Sequence, residues 1–312
     1  MKLIRGIHNL RLEHQGCVLT IGNFDAVHLG HRAVLSQVVN KAKELGLSSC
    51  VMLFEPQPRE FFSLQAGKLP LPRLASFREK VTQLEKLGID QVLVVNFNQN
   101  FANLSAENFI DDLLVKKLDV NLLVVGDDFR FGAKQQGDFG FLTEYAPFDV
   151  MNTKSFQIEV KSKIRVSSTA IRASLAKGEL AAAKAMLGRD FSIVGRVTHG
   201  QKLGRTINFP TANIPLKRLR SPVMGVFAVR VLGVAKTALN GVANVGIRPT
   251  VNGKKPRLEV HLFNFENNLY GKQLEVQFLH KLRDEQTFDS LAALKRQIEQ
   301  DALTAYQWLE NN

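Results

Sequence analysis

Apolar residues follow one rhythm up to about residue 190 and another after it. In the first stretch CVLTIGNF, SSCVMLFE, DQVLVVNF and VNLLVVGD are almost continuously apolar, as strands buried on both faces are. Between them HRAVLSQVVNKAKELG, ASFREKVTQLEKLG and SAENFIDDLLVKKL carry apolar residues at helical spacing, two of them ending in glycine. Strands alternating with helices predict βαβ units, and so a parallel sheet with helices on both faces. Such sheets bind ligands at the carboxyl ends of their strands. The unusual segments of this half, GNFDAVHLGH, FEPQPRE and GDDFRFG, all fall there.

Helical segments around STAIRASLAKGEL and AAAKAMLG give way near Gly188 to Asp190. Short strand-like runs follow: FSIVGRVTHG, GVFAVRVLGV, ALNGVANVG, RLEVHLFNF and KQLEVQFLHKL. Turn residues separate them, which predicts an antiparallel barrel or sandwich. An amphipathic helix, roughly Ser290 to Leu309, closes the chain.

A length of 312 residues suits two domains, divided here as 1–184 and 185–312. With 45% hydrophobic and 22% charged residues, the composition is that of a globular protein with real cores. Cys17 and Cys50 sit in apolar runs and read as buried thiols of a reducing compartment. No signal peptide is visible, and no run reaches the roughly 18 apolar residues of a membrane span, so a cytoplasmic location is expected. Net charge is +12, and residues 185–312 carry 18 Lys and Arg against 10 acidic residues. Apart from Lys217, Arg218 and Arg220 the basic residues are scattered. Charge alone favours neither nucleic acid nor small anions.

In GNFDAVHLGH the strand must turn into a helix starting close to His31. A helix start favours an anion by about 0.3–1 kcal/mol. His28 and His31 would project from one side of that turn, and Gly30 would let a phosphate approach the backbone. Imidazole N–H groups there could donate to phosphoryl oxygens in a transition state. Alone, the pair fits solvated helix-start residues or a transition-metal pair as well. RVSSTAIR (Arg165 to Arg172) offers a second helix start, with Ser168 or Thr169 as cap and two arginines. Together the two segments suggest a held triphosphate. In GQKLGRTINFPTAN, Gly200 and Gly204 suit a loop over phosphates. Thr211 and Asn213 offer hard oxygen ligands beside Pro210, chemistry suited to Mg²⁺, although such residues also make ordinary turns.

GNFDAVHLGH with SSTAIR resembles the nucleotidyltransferase superfamily, and FEPQPREFF with VGDDFRFG narrows the likeness. With LGRTINFPTAN, GVANVGIRPT and RLEVHLFNF in order, the whole chain resembles the prokaryotic bifunctional riboflavin kinase/FAD synthetase family. The resemblance implies a Rossmann-like nucleotidyltransferase domain with a parallel sheet, then a flavokinase antiparallel β-barrel with a C-terminal helix. It implies His28 and His31 as phosphate and transition-state contacts, with Gly22, Asn23, Phe24, Asp25 and Gly30 along the nucleotide. Arg165, Ser168, Thr169 and Arg172 would hold the triphosphate. Pro56, Pro58, Phe62, Asp128 and Phe131 would lie against the flavin.

In the second half the resemblance implies ATP phosphates at Gly200, Gly204, Thr206 and Pro210, Mg²⁺ at Thr211 and Asn213, and Glu259 acting on the 5′-hydroxyl of riboflavin. Strand alternation puts Glu259 and His261 on one face, opposite Val260. Arg283 and Glu285 would lie near the flavin, and Tyr270 and Gly271 match a family turn. Three positions depart from the family pattern. Ala26 stands where glycine is usual, which costs about 1 kcal/mol if that residue has φ > 0. Gln57 replaces a frequent histidine, and Asn268 a frequent aspartate.

The expected function is phosphorylation of riboflavin to FMN, then adenylylation of FMN to FAD with release of pyrophosphate. Two alternatives are a kinase with a weakened adenylyltransferase half and a non-catalytic flavin- or RNA-binding regulator. The implied partners are ATP, riboflavin and FMN. No membrane or nucleic-acid partner is expected, and at most weak self-association.

Overall fold

A computed structural model describes residues 1–153, 166–199, 209–216, 218–250 and 253–312, leaving aside the side chains of 248–250 and 253–255. Contacts divide the chain into two compact units: Met1–Pro70 with Phe77–Arg165, and Leu71–Ser76 with Val166–Asn312. Packing thus groups the chain from Val166 with the second unit, ahead of the 184/185 division that the sequence suggests for the two activities.

The first unit holds six parallel strands: β1 (Lys2–Arg5), β2 (Cys17–Ile21), β3 (Ser48–Glu55), β4 (Gln91–Asn96), β5 (Val120–Val125) and β6 (Asp149–Asn152). Their order is β1-β4-β3-β2-β5-β6, so the winding reverses between β2 and β5. That reversal opens a crevice at the carboxyl ends of those two strands. The helices of this unit are α1 (Leu29–Leu45), α2 (Pro58–Gln65), α3 (Phe77–Lys86), α4 (Gln99–Ala102), α5 (Ala106–Asn108) and α6 (Phe139–Tyr145). A π-helical turn, Phe109–Val115, continues α5. The doubly apolar strands feed three clusters, one of which packs Val18, Leu122 and Val124 on Val38 and Ala42 of α1. Cys17, Leu19 and Ile21 pack on Ile110 and Leu114, while Val51, Leu53 and Val92 pack on Leu35 and Leu84.

The second unit begins with α7 (Ser168–Lys177) and α8 (Leu180–Leu187). Six antiparallel strands follow: β7 (Phe191–Arg196), β8 (Ala212–Pro215), β9 (Gly225–Leu232), β10 (Leu239–Thr250), β11 (Gly253–Leu262) and β12 (Gln273–Arg283). Their order is β7-β12-β9-β10-β11-β8. The Thr198 N–H donates to the Asn213 carbonyl (2.8 Å) just past β7 and so curls the sheet toward closure. Phe227, Val229, Val231, Val245, Leu258 and Val260 alternate inward and are buried. On the opposite face Val226, Ala228 and Val242 pack against Ala305 and Leu309 of α9 (Leu291–Glu310), which is capped by Ser290. Arg172 Nε donates to the Pro72 carbonyl (2.8 Å), and Arg218 to those of Arg73 and Leu74, binding the Leu71–Ser76 strap. No helix among the described residues is long and apolar enough to cross a membrane.

Candidate functional site

The strand-to-helix turn after β2 stands at the winding reversal. His28 is the N-cap of α1, its Nδ1 accepting the His31 N–H at 3.2 Å. In the neutral imidazole this puts the proton on Nε2 and makes that nitrogen a donor. The His31 ring stacks on His28 with centroids 3.6 Å apart, and Phe24 meets His31 edge-on at 5.2 Å. Burial, then His28 and the nearby Lys80 ammonium, hold His31 well below its ordinary 6.5. Lys80 itself is buried, on the α3 face that bears Phe77 and Leu84 and packs on Phe24 and Val27.

The turn bends through left-handed backbone at Phe24, Ala26 (φ 69°) and Val27. Ala26 therefore occupies the conformation its glycine counterpart would favour. Gly22 is small because a Cβ there would press on the Phe24 ring. Asp25 is buried. Among the buried polar atoms without partners in the described residues are Asn23 Oδ1 and His31 Nδ1 in this turn and Gln57 Nε2 just before α2. Unpaired buried polar atoms are uncommon in proteins, and two within one turn suit a polar ligand. Gln57 precedes Pro58 as the N-cap of α2 without a capping bond.

A cavity of about 270 Å³ opens in the same unit. Of the flavin residues expected from sequence, Pro58, Phe62 and Phe131 line it, whereas Pro56 and Asp128 do not. The sequence reading missed Phe54, Phe97, Phe101, Phe109 and Phe129 in its wall. These rings pack in edge-to-face and tilted pairs 5.3–6.1 Å apart, and Phe129 stacks on Phe131. Phe54 lies near the end of β3 and Phe97 and Phe129 follow β4 and β5, but Phe101 and Phe109 lie in helical turns, and nothing local marked the set as one wall. Arg165 lies outside the described residues. Ser167, rather than Ser168 or Thr169, caps α7 by accepting the Ala170 N–H (3.2 Å), since the helix begins one residue earlier than expected. Ser168 and Thr169 occupy its first positions.

In the second unit a cavity of about 530 Å³ lies between the outer sheet face and α9, within the range of small-molecule sites. Strand register makes one continuous row along this face: Arg283 opposite Val226, Val226 opposite Asn244, Asn244 opposite Glu259, and Glu259 opposite Asn213, of which all but Asn213 line the cavity. Directly opposed residues share a face. Glu259 and His261 both line the cavity, with Val260 buried on the other side. Thr211, Arg283 and Glu285 also line it. His261 Nδ1 lies 2.9 Å from the Pro210 carbonyl, which only accepts, so that ring nitrogen carries the proton. Asn213 Nδ2 donates to the Thr211 carbonyl (3.3 Å), which leaves the amide oxygen for a hard cation. The donor set of Thr211, Asn213 and Glu259 fits Mg²⁺ in chemical character.

Arg283 grips both carboxylate oxygens of Asp301 (2.6–3.1 Å), and Gln297 adds a bond at 2.9 Å, tying β12 to α9. Asn268 Oδ1 accepts the Tyr270 N–H (2.9 Å), a bond that aspartate would also make, which explains why that departure is mild. Gly200, Gly204 and Thr206 lie outside the described residues. Sequence reading missed Asn244 and the cavity wall supplied by α9, including Leu291, Leu294 and Ile298.

Comparison with known proteins settles the family. The FAD synthetase family matches residues 10–170 and the riboflavin kinase family residues 187–309. The chain belongs to the bifunctional riboflavin kinase/FMN adenylyltransferase family. It is 52% identical over 313 residues to the bifunctional riboflavin kinase/FMN adenylyltransferase of Escherichia coli K12, covering 99% of this chain and 98% of that protein. The Haemophilus influenzae protein of the same description is 50% identical and covers 98% of both chains. A solved structure described as a macrolide-efflux protein from Streptococcus pneumoniae superposes with a TM-score of 0.77 at 27% identity, covering 96% of this chain and 97% of that one. In this family the two sites just described fall one within each matched region.

Proposed function

We propose that the barrel unit phosphorylates riboflavin with ATP to FMN, and that the parallel-sheet unit joins FMN to AMP from a second ATP, releasing pyrophosphate. Residues 1–184 would serve the adenylyl transfer and 185–312 the phosphorylation. The observation that carries this reading is the register row Asn213–Glu259–Asn244, in which Glu259 and Asn244 line the 530 Å³ cavity.

A glutamate is far too weak a base to ionise an alcohol before transfer begins. Phosphoryl transfer through a loose transition state needs positioning and charge neutralisation instead. Glu259 orients the 5′-hydroxyl and accepts its proton late. Thr211 and Asn213 would hold Mg²⁺, which when bound neutralises phosphate charge. The wall of α9, fastened by Arg283 and Asp301, keeps water from the flavin side.

In the other unit the phosphate of FMN attacks the α-phosphorus of ATP. His28 presents an Nε2 donor from a fixed ring, and neutral His31 stands beside it at the helix start. Donors aimed at developing phosphoryl charge stabilise the transition state. The phenylalanine-lined cavity accepts the isoalloxazine ring.

The test is chromatography of flavins over time with riboflavin, ATP and Mg²⁺. FMN followed by FAD supports both halves, and unchanged riboflavin sinks the proposal. The φ of 69° at Ala26 supports a second reading, in which adenylyl transfer is the slower half. FMN accumulating while FAD lags is its signature.

A further inference from the structure

We propose that Asn244 makes the kinase site specific for polyhydroxylated flavins, by accepting a hydrogen bond from a secondary hydroxyl of the N10 side chain. This rests on the reading of Glu259 as the residue at the terminal hydroxyl. Asn244 is directly opposite Glu259 on β10, as Asn213 is on β8, so the carboxylate has an amide on each flank. Opposed side chains have Cβ atoms roughly 4.5–5.5 Å apart. Asn213 faces the Thr211 side, where phosphates are expected. Asn244 stands on the other flank, and the row continues from it through Val226 to Arg283, toward the flavin.

Asn244 Oδ1 is buried and has no partner among the described residues, although the residue lines the cavity. A buried carbonyl oxygen of this kind is ordinarily satisfied, and a ligand hydroxyl is the donor the cavity would admit. Its Nδ2 lies on the Gly246 side, near Glu285, which is also part of the cavity wall. A Cβ added to Gly246 would lie 3.3 Å from that nitrogen and would collide with the Glu285 carboxylate. Gly246 thus makes room for Glu285 beside the amide nitrogen, and the oxygen is the amide atom left without a partner among the described residues. With the 5′-hydroxyl at Glu259, the secondary hydroxyls of a ribityl chain come within a few bonds of that oxygen. A neutral amide reads them without placing a second negative charge beside Glu259.

The experiment compares phosphorylation of riboflavin with that of a flavin bearing a 5-hydroxypentyl group at N10, which keeps only the terminal hydroxyl. A site built to bond a substrate hydroxyl discriminates against the analogue lacking it. The unaltered protein should prefer riboflavin in kcat/KM by about tenfold or more. Asn244→Leu should lose that preference by slowing on riboflavin alone, and Asn244→Ser, which keeps an acceptor, should recover part of it. A preference that persists in Asn244→Leu overturns the proposal, as does an equal loss on both flavins. A cooperative thermal transition of the barrel unit, as in the unaltered protein, checks that each variant is folded there. Glu259→Gln separates the two ideas: it should slow both flavins alike, and full activity in it removes the underlying reading instead.

Discussion

His31 lies flat on His28, with ring centroids 3.6 Å apart and planes 17° from parallel. The N-cap bond from the His31 amide to His28 Nδ1 locks this stack, so the two rings act as one fixed element. Replacing either with alanine should slow FMN-to-FAD conversion by about 10²–10³, as loss of a preorganised donor does. Riboflavin phosphorylation, assayed in the same sample, should stay unchanged. Full FAD formation in either variant would contradict the assignment.

The lowered pKa of His31 also affects stability, in one direction. Above its ordinary 6.5 the imidazole is neutral in both folded and unfolded chains. As pH falls below that value the unfolded chain takes up a proton that the folded one refuses, so stability declines toward the folded pKa. The slope for one group is at most about 1.4 kcal/mol per pH unit. Thermal unfolding followed from pH 7.5 to 5 should show this decline, and His31→Phe should flatten it.

Ala26→Gly should relieve the left-handed strain at φ 69° and stabilise the first unit by about 1 kcal/mol. FAD formation should rise and FMN formation should not. If the FAD rate stays level while the melting temperature increases, the strain is structural only.

Glu259→Gln keeps the shape of the side chain and removes the proton acceptor. Riboflavin turnover should fall by about 10²–10⁴. Supplied FMN should still become FAD at the original rate, and an unchanged melting transition of the second unit separates loss of chemistry from loss of fold.

Asp301→Ala breaks the clamp between β12 and α9. Both partners are largely buried, with side chains 18% and 9% exposed, and a guanidinium left there without its carboxylate should cost about 2–3 kcal/mol. The second unit should melt earlier and bind riboflavin more weakly. Arg283→Met in the same chain should recover part of the stability.

Long apolar runs made β2 to β5 legible, and capped periodic stretches did the same for α1 and α9. Their local pattern and their buried surface agree. Short or edge elements escaped. β1 has four residues, and β8 runs through PTAN, where proline and asparagine read as a turn. Only pairing with β11 makes Ala212–Pro215 a strand. The same pairing brings Asn213 opposite Glu259, 46 positions away in the chain.

The sequence determined the two periodicities, and with them the parallel and antiparallel sheets. Residue type and near-neighbour spacing singled out the histidine pair as a candidate, and the family resemblance singled out Glu259. Tertiary structure decided which residues share a site. Asn244 became Glu259's neighbour through register alone, and α9 became a cavity wall through its docking on β9 and β10. The phenylalanines from four separate segments became one pocket because strand order brings their ends together. None of these relations has a local signal, since each arises from contacts between positions far apart in the chain.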